Sequence, residues 1–154
     1  MGLKLPQRIS DSIEFIHRRD EAIGPLADYS KYRDTMDKQY LDLQGEATVF
    51  KVVPVTPGRR SRAIDAAGGL SAVRDQLLKF GAMPMEYSRG IFKWALVGLD
   101  YPAGDNWPER LIVRERGYIC ASDELLDVLE DDIISEVALV AIQAEGKALL
   151  LKKK

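Results

Sequence analysis

The most patterned run of the chain is EATVFKVVPV, residues 46–55. Val49, Phe50, Val52, Val53 and Val55 are β-branched or aromatic, types that fit a pleated surface, so this run predicts a strand. Apolar residues fall on both of its faces, which predicts burial on both sides. Pro54 has no N–H to give a ladder and places that end at a sheet edge or boundary. Thr56-Pro57-Gly58 is turn chemistry. A helix is expected over residues 60–67, ended by Gly68-Gly69. Ser71 caps a second helix through Phe80, with Val73, Leu77 and Phe80 on one side. A third, MEYSRGIFKWALV (85–97), carries Tyr87, Ile91, Trp94 and Ala95 on one face.

Upstream, Asp11 is a cap for a short helix over residues 12–22, with Ile13, Ile16 and Ile23 near one face. Gly24-Pro25 ends it. Asp28 caps another, in which Tyr29, Tyr32, Met36 and Tyr40 fall at helical spacing before Gly45. Downstream, residues 101–108 are loop. Residues 110–114 and 118–120 predict two strands joined at Glu115-Arg116-Gly117. Ser122 caps a short helix to Leu129. Asp131 and Asp132 open the last helix, where acids suit the positive end of the macrodipole. Its apolar positions are Ile133, Ile134, Val137, Ala138, Ala141 and Ala144, and Gly146 is its expected stop. The expectation is a helix-rich α+β fold: a flexible arm (1–10), a single domain with a small antiparallel sheet (11–146) and a C-terminal tail (147–154).

The 154 residues suffice for one domain with a core, and 46% hydrophobic with 30% charged residues is ordinary for a globular protein. No apolar run reaches the roughly 18 residues of a membrane span, and MGLKLPQRIS lacks a secretory apolar region. Gly2 is present, but Pro6 stands where a myristoylation signal needs Ser or Thr. Synthesis in the cytoplasm and no membrane contact are expected. Charge is unevenly laid out. Residues 51–93 hold eight Lys/Arg against three Asp/Glu, and residues 117–146 hold eight Asp/Glu and no Lys/Arg. Such separation is either solvated or gives copies complementary faces.

Strand, glycine turn, arginines and helix invite comparison with a phosphate site. A P-loop needs Gly-x-x-x-x-Gly-Lys-Ser/Thr, and a dinucleotide fingerprint needs three glycines between strand and helix. Here Gly58 is followed by Arg59 and Arg60, and Gly68-Gly69 comes after the helix. Neither cradle is present. Arg59, Arg60 and Arg62 can pair bidentately with carboxylates or phosphates, and are candidate interface residues. His17, the only histidine, lies three residues before Asp20 with no marked nucleophile, and reads as a surface or half-buried residue. One His and one Cys cannot make a zinc site. Cys120, between Ile119 and Ala121, reads as core. Asp131 and Asp132 read as helix-capping rather than metal-binding, since EF-hand spacing is absent. Phe80, Tyr87, Phe92 and Trp94 are interleaved with bases, but their helical spacing and the net charge of -2 argue against a nucleic-acid partner. No catalytic residue, cofactor or metal is expected.

The order of segments carries a resemblance. ADYSKYRDTMDKQYLDLQGEATVFKVVPVTPGRRSRAIDAAGG is followed by YSRGIFKWALVGLDYP and then DELLDVLEDDIISEVALVAIQAEG. This resembles small structural or tail-assembly proteins of tailed bacteriophages. In those, a strand of the type Pro-Thr-x-Phe-x-Val-x-Pro-Leu-Thr precedes a helix. A Gly-Leu-Val-Gly segment and a Leu-x-x-Leu helix pair follow. Thr48, Phe50, Val52, Pro54 and Thr56 match the strand, residues 94–99 the middle segment and residues 125–142 the end. The resemblance implies a non-enzymatic virion protein or assembly chaperone, with other virion or tail proteins as partners and a homo-oligomer in the assembly. Arg59, Arg60 and Arg62 would then meet residues 123–136 of another copy, and Leu149, Leu150 and Leu151 would pack on a partner. The alternative is a small regulatory domain acting on a host protein or nucleic acid.

Overall fold

Val49 to Val52 supply the alternating apolar positions around which the sheet forms. The computed structural model describes residues 12–18, 20, 33, 47–81, 84–101 and 107–152, the backbone alone from residue 145. Its elements are β1 (Ile13–Phe15), β2 (Val49–Val52), α1 (Pro57–Ala66), α2 (Leu70–Phe80), α3 (Met85–Ala95), β3 (Leu96–Asp100), β4 (Ile112–Glu115), β5 (Tyr118–Ala121), α4 (Asp123–Val128) and α5 (Asp131–Lys152). The fold is α+β and helix-rich. Strands β1, β2 and β3 form an antiparallel sheet in that order, and β4 and β5 form a hairpin. Phe50 is the register point, opposite Phe15 on one side and Leu99 on the other.

Three elements differ from the sequence reading. Residues 12–22 are expected as helix, but Ile13–Phe15 is a strand on β2. Ile13 and Phe15 also satisfy a period of two, and partner hydrogen bonds outweigh the weak helical pattern. The Asp20 carboxylate accepts from the Thr48 N–H at 2.7 Å, tying the chain after β1 to the approach to β2. The helix expected over 85–97 stops at Ala95, and Leu96 turns extended to begin β3 with no intervening loop. Gly98 leaves room for the Lys51 side chain across the ladder, whose ammonium reaches Asp100 at 3.1 Å. Finally, α5 continues through Gly146 to Lys152. One interior glycine costs about 1 kcal/mol relative to Ala, too little to end a helix flanked by Ala, Lys and Leu.

Other expectations hold in outline, except that α1 starts at Pro57, inside the expected turn, and that Ser71 does not cap α2, which starts at Leu70 after Gly69. Strand β2 is shorter than residues 46–55, and is fully covered on one face only: Phe50 and Val52 are buried, Val49 and Lys51 half-buried. The β4–β5 turn has positive φ at Arg116 (51°) and Gly117 (85°), as a two-residue hairpin turn requires. Ser122 caps α4 by accepting from the Leu125 N–H at 3.1 Å. The arm at 1–10, the helix expected around Tyr29, Tyr32, Met36 and Tyr40, and the loop at 102–106 lie outside the described residues.

The core is one cluster. Phe15, Phe50 and Val52 from the sheet, Ile91 and Phe92 from α3, Leu125 from α4, and Ile134, Val137 and Ala141 from α5 are buried in it. Helix α3 is its axis. It is buried well beyond the single predicted face, because α1 packs against one side and α5 against another. The α1 contact is backbone-close: a Cβ on Gly90 would lie 2.9 Å from the Ala63 Cα.

Candidate interaction surface

The three arginines of α1 do different things. Arg59 is turned inward. Its guanidinium donates to the Trp94 carbonyl and, at 3.1 Å, to the Ile119 carbonyl, and its Cζ lies 5.0 Å from the Tyr118 ring centroid. Trp94 is in the last turn of α3, where carbonyls lack intrahelical partners and carry the negative end of the dipole. Arg59 therefore caps the C-terminus of α3 and joins it to β5. Burial lowers its pKa below the usual guanidinium value, opposed by Tyr118 and Cys120, and leaves it a cation. Arg62 lies over Trp94, its Cζ 6.0 Å from the ring centroid. Arg60 is exposed and makes no ion pair among the described residues. The arginine cluster thus divides into one structural residue, one stacked on an aromatic ring and one facing solvent.

The charge separation along the chain is partly closed within one molecule. Lys93 Nζ lies 2.9 Å from Glu115 Oε2 and 2.8 Å from Asp123 Oδ1. Arg89 donates to the Leu126 carbonyl at 3.2 Å and reaches Asp131 at 3.4 Å and Asp127 at 3.9 Å. Two cations of α3 therefore meet the acidic segment in its own copy. Residues 123–132 hold six acids and no base, so α4 and the start of α5 keep a negative surplus. Glu124 is exposed and makes no ion pair among the described residues. Four residues on, Val128 is 57% exposed.

Helix α2 departs furthest from expectation. The face predicted as core, Val73, Leu77 and Phe80, buries only Val73; Phe80 is 71% exposed and Leu78 84%. Leu70 and Leu77 are about half-exposed. Positive φ at Gly68 and Gly69 makes the sharp link from α1, and Gly81 closes α2 with a left-handed cap. The sequence signal for this surface is Leu78, which lies off the predicted stripe and widens the apolar face beyond what one core contact uses.

The remaining candidates fall elsewhere. His17 is buried, not at the surface, and Nε2 lies 2.9 Å from Glu136 Oε2, while Arg18 reaches the other oxygen at 3.1 Å. Cys120 is buried and burial raises its pKa, with the Glu115 charge adding to the effect. Asp131 faces Arg89, and Asp132 accepts from the Ile133 N–H at 2.9 Å in the first turn of α5. Among the described residues, no group of three or more His, Cys, Asp or Glu is arranged to hold a metal ion. None of the described helices is long and apolar enough to cross a membrane. Leu149, Leu150 and Leu151 are on the last turns of the α5 backbone, and their side chains lie outside the description. Comparison with family models, curated proteins and solved structures finds no match to this chain.

Proposed function

We propose that this protein is a non-enzymatic assembly component of a tailed-bacteriophage particle, acting in the virion through contacts between its own copies and with other virion proteins. The observation that carries the reading is α2, an eleven-residue helix whose Leu70, Leu77, Leu78 and Phe80 face solvent. Contiguous exposed apolar residues of this kind mark protein interaction surfaces. The segment order that resembles phage assembly proteins supports the setting, and the acidic surplus on α4 and α5 supports contact between copies.

The test is solution mass of wild type and of a Leu78→Ser, Phe80→Ser variant across protein concentration. Both side chains are mostly exposed, so the variant keeps the wild-type melting temperature. Wild type is expected to gain mass with concentration and the variant to stay at 17.2 kDa. A variant that associates as wild type does would overturn the reading.

A further inference from the structure

Helical geometry places an arginine inside the apolar face of α2. At 3.6 residues per turn, Leu70, Val73, Leu77 and Phe80 form a stripe, Leu78 lies off to one side, and Arg74 stands between. Asp75 and Lys79 are on the far side. Arg74 is exposed and makes no ion pair among the described residues. A two-fold pairing of α2 with itself, centred on this stripe, would set Arg74 against Arg74. Like charges placed so oppose association. The complementary surface is apolar with an unpaired carboxylate one turn away. Helix α4 presents that pair: Glu124 and, four residues later, Val128 at 57% exposure, within a segment of six acids.

The two surfaces flank α3 on different sides. Helix α1, which leads into α2, meets α3 at Gly90, while α4 meets it through Arg89, which donates to the Leu126 carbonyl, and Lys93, which reaches Asp123. Gly90 lies roughly 60–100° around the helix from these two positions. Arg74 and Glu124 form no ion pair within one copy among the described residues, which leaves both for a contact between copies.

We infer that α2 of one copy docks on α4 of the next, Arg74 pairing with Glu124 and the leucines covering Val128, which gives a head-to-tail chain or ring rather than a two-fold dimer. This rests on the self-assembly reading above and names its partner surface.

The test uses Arg74→Glu and Glu124→Arg, at exposed positions, each alone, mixed, and combined in one chain. Each single variant is expected to associate about tenfold or more weakly than wild type, since each sets like charges in contact. The equimolar mixture is expected to regain assembly, because every contact between unlike copies is then complementary. The combined variant regains it for the same reason. If Glu124→Arg assembles as wild type does, α4 is not the partner and the head-to-tail pairing fails, while self-assembly through α2 stands. If neither the mixture nor the combined variant recovers, the Arg74–Glu124 pairing is overturned. If wild type itself never associates, both readings fail together.

Discussion

Arg59 shows how a charge that looks solvated can be structural. Two carbonyls, Trp94 and Ile119, lose a guanidinium donor if it is removed. The Trp94 bond is part-buried and the Ile119 bond exposed, and an intramolecular hydrogen bond contributes about 0.5–1.5 kcal/mol. Arg59→Met is therefore expected to lower stability by that order in urea unfolding, while Arg60→Met, at an exposed neighbour, stays within about 0.5 kcal/mol. Equal effects would contradict the capping role. Only the arginine type was legible here. Its partners lie 35 and 60 residues away in sequence, and no local pattern announces them. Cys120 was legible as core from its apolar neighbours. Its pKa is raised above 9.0, chiefly by burial. Lys93 is raised above 10.5: burial pulls it down, and the hydrogen bonds and charges of Asp123 and Glu115 outweigh this. Both groups hold their protons more tightly folded than unfolded. Their stabilisation is complete below the unfolded values and is lost as pH rises through the folded ones. The melting temperature is expected to fall from about pH 9 upward, and Cys120→Ala to remove the first part of that fall. A flat profile to pH 11 in both proteins would contradict it.

Long apolar patterns gave the helices α1, α3 and α4 within about three residues of their observed bounds and gave the start of α5 but not its end, and turn chemistry gave the β4–β5 hairpin. What failed was short. Ile13–Phe15 and Leu96–Asp100 are strands of three and five residues whose state is decided by pairing with β2, a long-range interaction. Gly90 was unremarked in sequence because one glycine does not spoil a helical period. Its role is contact: Ala63 stands where a side chain would go. Gly90→Ala gains up to about 1 kcal/mol in helix propensity but overpacks the α1–α3 contact at about 1–3 kcal/mol. A net loss of stability is expected in thermal unfolding, and a gain would show that α1 yields without cost. Helix α2 was legible as an element, though not its exposure, since periodicity reports an apolar face and not what covers it.

At the scale of the whole molecule, the contrast between a basic middle and an acidic end was plain in sequence. Its destination was not. Lys93 and Arg89 spend it internally, on Glu115, Asp123, Asp127 and Asp131. Among the described residues, the charges left for a neighbour include Arg74 in an exposed apolar helix face, and Glu124 beside Val128. Exposed pairs weaken with salt, so a contact built on them has a clear signature. The most direct measurement is the wild-type mass by light scattering, over a range of protein concentration at low and at high salt. The predicted result is a mass that rises with concentration at low salt and falls back toward 17.2 kDa at high salt. A mass of 17.2 kDa at every concentration and both salts would contradict self-assembly through this surface.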